Sequence, residues 1–219
     1  MAGLSPTTPA CAQGRQGFLR RIGTLEPFRE KLAYYPRDVW LYLLSCAWRK
    51  IGQEMAFMGR SGEVGDELGS RVVASRLVRE IMRLSFLMER KYAPYSKWLG
   101  TAFSRLEIAK NLESLLLETL SKDSWKERQA PLARAYTILA EKYNSLGLTK
   151  VMPTGVIYYY TRPFLVPEGN FADELQAVIQ SEEIQRIKVE IGGIDQFIDN
   201  TDFLENPGLC HKAREFYQI

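Results

Sequence analysis

The sequence predicts an all-α protein: a helical bundle with an irregular C-terminal third and one short extended segment. Apolar residues recur with a period near 3.6 over most of the chain from Val39 to Tyr143. Glycine and proline fall at the ends of those runs, where a helix starts or stops. Only Val156 to Tyr160 is aromatic and β-branched enough to suggest a strand.

Residues 1–24 carry Pro, Thr, Gly and Gln with little apolar period and read as a poorly ordered lead-in. Residues 25–219 read as the helical domain. Tyr34-Tyr35-Pro36 opens its first helix, because proline suits a first turn and Asp38 complements the positive helix end. Val39, Trp40, Leu43, Leu44, Ala47 and Ile51 form the apolar stripe, and the helix runs to about Phe57. Met58 to Asp66 reads as a loop, since its three glycines allow turns that other residues resist. Glu67 to Tyr92 is the longest helix, roughly 39 Å at 1.5 Å per residue. Val73, Leu77, Ile81, Leu84 and Met88 make its core stripe, and Pro94 stops it. Tyr95-Ser96-Lys97-Trp98 turns into another helix, followed by helices at Leu106–Leu120 and Pro131–Leu146, the last ended by Gly147. Shorter helices are expected at Ala172–Ser181, Ser181–Val189 and Gly208–Tyr217. Trp40 and Trp48 are read as core, because such rings bury large areas.

An apolar fraction of 46% with 25% charged residues is ordinary for a globular chain. The net charge of +3 is far weaker than the concentrated footprint of a dedicated nucleic-acid binder, which disfavours that partner. Cys11, Cys46 and Cys210 are sparse and form no CxxC pair, so a reducing compartment is expected and not a disulfide framework. No apolar run nears the roughly 20 residues that span a bilayer, and no apolar region marks a secretory signal. A cytoplasmic location is expected.

Several chemistries are set aside by residue type. With His211 as the one histidine, multi-His zinc sites are excluded, and no GxSxG elbow accompanies it. There is no GxxxxGK[ST] phosphate loop and no GxGxxG turn. Nucleotidyl transfer needs a Gly-Ser turn that holds the triphosphate, followed by carboxylates on adjacent strands that gather magnesium. The one Gly-Ser, Gly69-Ser70, follows Asp66 and Glu67 and leads into helix. Asp199 and Asp202 lie three apart near a turn and not on an alternating strand. No catalytic residue is therefore assigned.

Polar and aromatic residues concentrate between Trp48 and Trp98. Arg49 and Gln53 stand four apart on one helix face, with Glu54 beside them. Arg60, Glu63, Asp66 and Arg71 flank the glycine segment, and Tyr95, Lys97 and Trp98 sit at the proline turn. Arg76, Arg79, Arg83 and Arg90 follow one stripe of the long helix. A functional reading makes these a pocket wall for phosphate, ribose or a polar substrate, since the planar arginine fork suits phosphate oxygens. A plainer reading makes the arginine stripe a solvated face, partly neutralised by Glu80 and Glu89.

Tyr34-Tyr35-Pro36-Arg37-Asp38-Val39-Trp40-Leu41-Tyr42, then Trp48-Arg49-Lys50-Ile51-Gly52-Gln53-Glu54, resembles the bacterial domain-of-unknown-function family numbered 4037. Gly59 to Asp66, Gly69-Ser70-Arg71 and Tyr92 to Gly100 continue the resemblance, as do Thr161-Arg162-Pro163-Phe164 and Ile194 to Asp199. It extends over about residues 25–217. In that family such a helical region follows a nucleotidyltransferase-like domain bearing the Gly-Ser and carboxylate motifs. The resemblance implies an accessory role, closing over a nucleotide or an acceptor, with Mg2+ and nucleotide supplied through a catalytic partner domain. It carries over no catalytic residue.

Two functions follow as expectations. In the first, the chain is a non-catalytic substrate-binding module of a nucleotidyltransferase-like protein. Its site is drawn from Arg49, Gln53, Glu54, Arg60, Glu63, Asp66, Arg71, Tyr95, Lys97 and Trp98, and it binds no cofactor or metal by itself. In the second, it is a stand-alone interaction module that forms a homo-oligomer and ignores nucleotides. A nucleic-acid binder built on the arginine stripe ranks behind both, and no membrane partner is expected.

Overall fold

The computed structural model describes residue 27, residues 29 and 30, and residues 32–217; the lead-in at 1–24 lies outside them. Eleven labelled α-helices and one small hairpin follow from Arg37 onward. Helix α1 (Arg37–Glu54) is central, with every residue from Trp40 to Trp48 buried. A helix apolar on all sides must be covered on all sides. Helix α3 (Glu67–Met88) packs along one flank and α7 (Phe171–Ala177) along another. The chain beyond residue 178 covers the remainder. Tyr42 donates to the Val189 carbonyl at 2.8 Å, and the Gln196 amide donates to the Leu43 carbonyl at 3.3 Å. Asp38 does more than face the helix end: its carboxylate accepts the N–H groups of Gln180 at 2.8 Å and Ser181 at 2.6 Å.

The segment Met58–Asp66, expected as a loop, is instead mostly helix: α2 spans Phe57–Glu63. Its glycines serve close approach more than turning. A Cβ on Gly59 would sit 2.3 Å from the Phe164 ring, and one on Gly62 would sit 2.1 Å from the Trp125 ring. Only Gly65, with φ of 85°, makes a turn that favours glycine. Asp66 then caps α3 by accepting the Gly69 N–H at 2.7 Å. Helix α3 stops four residues short of Tyr92. Arg90 takes a left-handed φ of 53°, and the Lys91 N–H returns to the Phe86 carbonyl at 2.9 Å, so arginine fills the usual glycine position of a helix stop.

A short turn at Ser96–Trp98 leads to α4 (Leu99–Phe103), α5 (Ala109–Ser121) and α6 (Trp125–Ser145). Helix α6 begins six residues before Pro131, because Ser124 and Glu127 form a capping box upstream. Strands β1 (Val156–Tyr158) and β2 (Leu165–Pro167) pair antiparallel, Ile157 opposite Val166. The sequence suggested only the first of them. The C-terminal third is irregular, as expected, with α7 followed by single turns: α8 (Glu182–Gln185), α9 (Ile194–Phe197), α10 (Thr201–Leu204) and α11 (Pro207–Lys212). The segment expected as Ser181–Val189 is thus reduced to one turn, and Gly208–Tyr217 divides into α11 and a 3-10 turn at Ala213–Tyr217.

Leu44, Leu77, Leu112, Leu139 and Leu175 are fully buried and join α1, α3, α5, α6 and α7 in one core. Trp40 and Trp48 are core residues, as their size predicts. Trp40 donates to the Leu87 carbonyl at 2.7 Å, and Trp48 stacks on Phe171 at 4.2 Å between centroids. A smaller cluster of Ala56, Trp125 and Phe164 seats the hairpin against α2 and α6. No helix among the described residues is long and apolar enough to cross a membrane.

Candidate functional site

A cleft of about 520 Å³ opens between the C-terminal half of α1, the tip of the hairpin and the segment joining β2 to α7. Helical spacing places Arg49 and Gln53 on its α1 wall, one turn apart. Gly52 lies between them, and a Cβ there would meet nothing within 4 Å, so the cleft floor is open. On the hairpin side, the Tyr159 N–H donates to the Phe164 carbonyl at 2.8 Å and the Arg162 N–H to the Tyr159 carbonyl at 3.0 Å. That tight turn forces Tyr160 to a φ of 54°, a strained value for a non-glycine residue. Its ring is 84% exposed at the cleft and meets Tyr159 edge-on at 4.8 Å.

The third wall carries Glu168 and Asn170. The Glu168 N–H donates to the Gly155 carbonyl at 3.2 Å, which fixes its backbone, while its side chain lies exposed. Asn170 caps α7 through the Asp173 N–H. Arg49 reaches across to Asp173 and Glu190 and forms ion pairs with both. Hydrogen bonding by Glu190 pushes the Arg49 pKa upward, so this guanidinium is fixed as a cation and already satisfied.

Of the residues singled out in the sequence, the structure brings only Arg49 and Gln53 to this cleft. Glu54 pairs with Arg76, and Glu63 pairs with Arg162. Arg60 lies over the Phe57 ring at 5.8 Å, Asp66 is a helix cap, and Arg71 holds Asp123 at 2.8 Å. Tyr95, Lys97 and Trp98 sit exposed on the turn before α4, with the Lys97 ammonium 5.2 Å from the Trp98 ring. The arginine stripe is engaged throughout. Arg79 meets Glu80 at 3.1 Å and Asp199 at 3.0 Å, Arg83 pairs with Asp195, and Arg90 lies 4.8 Å from the Trp40 ring. Glu80 also holds Lys50 at 2.9 Å, whereas Glu89 accepts the Ile108 N–H at 2.8 Å.

Tyr159, Tyr160, Glu168 and Asn170 were not singled out. Tyr159 and Tyr160 carried a signal, since two tyrosines just before Thr161-Arg162-Pro163 mark an aromatic turn. Glu168-Gly169-Asn170 carried only the composition of a loop.

The Gly69-Ser70 pair has a different use. Arg128 is buried, with no exposed side-chain surface; it pairs with Glu67 and donates to the Ser70 hydroxyl at 2.9 Å. It also donates to the carbonyls of Lys122 at 2.9 Å and Asp123 at 3.2 Å. Asp66, Glu67 and Ser70 are thus committed to a helix cap and a buried guanidinium. They do not fit a magnesium-triphosphate group. Among the described residues, no cluster of three His, Cys, Asp or Glu side chains is placed to hold a metal ion. Cys46, buried beside Tyr42, has its thiol pushed up to about 12 by burial, which keeps it protonated and unreactive.

No curated protein and no solved structure matches the chain. A family model matches residues 9–99, a stretch that starts inside the expected lead-in and ends beyond the proline turn. It takes in the runs from Tyr34 to Arg71 and all but the last residue of Tyr92 to Gly100, while Thr161–Phe164 and Ile194–Asp199 fall outside it. The model is that of the family described as Domain of unknown function (DUF4037), to which residues 9–99 are similar.

Proposed function

We propose that this chain is a ligand-holding helical module of a nucleotidyltransferase-like protein, not catalytic by itself, and that the cleft between α1 and the hairpin holds the acceptor molecule. A separate catalytic domain would supply the magnesium, the nucleotide and the paired carboxylates. The cleft is the observation that carries this reading. At about 520 Å³ it falls in the usual range for small-molecule sites, and it combines an exposed aromatic ring with amide and charged side chains. The commitment of Ser70 and Glu67 to Arg128 supports the non-catalytic part.

A thermal-shift screen of hydroxyl- and amine-bearing metabolites tests the holding role. A ligand at 100 times its Kd adds about 2.7 kcal/mol to stability. Gly52→Trp, which places a ring in the open floor, should abolish any such shift. If no compound gives a shift that this plug removes, the reading fails. Incubating the chain with ATP, GTP or CTP, magnesium and candidate acceptors should yield no transfer product; transfer by the chain alone would overturn the non-catalytic part.

A stand-alone interaction or oligomerisation module is the second reading, favoured by one surface feature. Val64, Leu68 and Val72 recur every four residues across the junction of α2 and α3, and are 81%, 76% and 53% exposed. This reading expects a dimer at micromolar concentration that Leu68→Asp dissociates. Sedimentation as a monomer at every concentration removes it.

A further inference from the structure

We infer that the cleft takes an elongated organic cation, a chain bearing ammonium or guanidinium groups. This rests on the cleft being a ligand site, as proposed above, and adds the chemical class of the ligand. Charge comes first. The Arg49 guanidinium is shared by Asp173 and Glu190, so its positive charge is already overmatched. Glu168 brings another carboxylate to the cleft and forms no ion pair with a described residue. Of the two charged side chains that line the cleft, Arg49 is thus paired twice over by carboxylates, and Glu168 carries the unpaired charge. The field of such a site attracts a cation and repels a phosphate or carboxylate, which would find no free guanidinium fork.

The aromatic lining points the same way. The Tyr160 ring is the most exposed large side chain of the hairpin, and the face of such a ring attracts ammonium and guanidinium groups. Tyr159 stands edge-on to it and limits its swing.

Length follows from the hairpin. Tyr159 lies opposite Phe164, while Glu168 lies opposite Gly155, four residues back along the first strand. At 3.3 Å per residue those two levels are about 13 Å apart. Between backbone levels that far apart, a flexible chain can run from the Glu168 side of the cleft past Gly52 to the Tyr160 side.

Three probes of one length separate the classes: 1,8-diaminooctane, 1,8-octanediol and octanedioate. They share a carbon chain and differ in charge, so the wild-type protein suffices. Amide and ring resonances of residues 49–53, 159–160 and 168–170 are followed by NMR at low salt. The diamine should shift them saturably, the diol about tenfold more weakly, and octanedioate not at all. Glu168→Gln should weaken the diamine about two- to fivefold, as for an exposed ion pair, and leave the diol unchanged. Tyr160→Ala should cost a similar factor, and Tyr160→Phe should cost nothing. If the diol or octanedioate binds as well as the diamine at these residues, the cation inference is overturned while the holding role stands. If plug-sensitive ligands emerge from the metabolite screen and all are neutral or anionic, the result is the same. If no probe or metabolite moves these resonances, both fall.

Discussion

Arg128, whose side chain is wholly withdrawn from water, ion-pairs with Glu67 across the gap between the first turns of α6 and α3. Burying a guanidinium is unfavourable unless its donors are matched; here a carboxylate, a hydroxyl and two carbonyls match the two terminal nitrogens, while Nε is buried without a partner. Removing one partner of such a pair strands the other. Arg128→Ala should cost about 3–5 kcal/mol, read as a lower urea midpoint. Glu67→Gln should cost less, roughly 1–2 kcal/mol, because the Glu67 side chain is 39% exposed and water partly replaces it.

Three glycines in or near the site should respond in opposite directions to the same substitution. In each helix alanine is intrinsically better than glycine by up to about 1 kcal/mol. Gly52→Ala meets open space and should stabilise by roughly that amount. At Gly59 and Gly62 the new methyl group would overlap the Phe164 and Trp125 rings, and overpacking of this kind costs about 1–3 kcal/mol, which outweighs the propensity gain. Denaturation of the three single variants checks the signs.

Tyr160 holds a left-handed backbone at the hairpin tip. Tyr160→Gly removes that strain, and since its ring is almost fully exposed, little packing is lost. Thermal stability should stay level or rise by up to about 1 kcal/mol, while the cleft loses its exposed ring. Lower stability in this variant would show that the ring contributes to the fold.

The Asp38 carboxyl is held below the ordinary carboxylate range, chiefly by the Ser181 N–H, then by the Gln180 N–H and Arg37. A carboxylate favoured in the folded state contributes stability above its unfolded pKa of about 3.9, and that contribution disappears as pH falls through the lower folded value. Wild type and Asp38→Asn should therefore differ at neutral pH and converge in acid below about pH 4. Hydrogen exchange at the Ser181 and Gln180 amides should quicken in the variant at neutral pH.

Helices α1, α3 and α5 are legible in the sequence because a period of 3.6 runs through Leu43, Leu44, Leu77, Leu84, Leu112 and Leu116 without a break. The start of α6 is obscured by Pro131, which suggests a beginning, although Ser124 and Glu127 carry the better signal. Helix α2 is hidden because Gly59 and Gly62 suggest turning, and only the rings of Phe164 and Trp125, far along the chain, reveal why side chains are absent there. The cleft is half legible. Arg49 and Gln53 are neighbours by helical spacing, but Tyr160 and Glu168 reach them only once the hairpin folds back. Ion pairing is the least legible feature: nothing local shows that Arg49, Arg76 and Arg83 are claimed by Asp173, Glu54 and Asp195.

The clasp from Asp38 to Gln180 and Ser181 joins residues 142 and 143 positions apart, and Tyr42 reaches Val189 across 147. During synthesis the central helix would leave the ribosome long before its covering arrives. Its flank around Tyr42, Leu43 and Cys46 stays bare until the final third has been translated. Contacts so remote in sequence close slowly, and a nascent chain stalled in that interval presents an apolar helix to its neighbours. The tail of this protein thus governs when the whole domain becomes safe from aggregation.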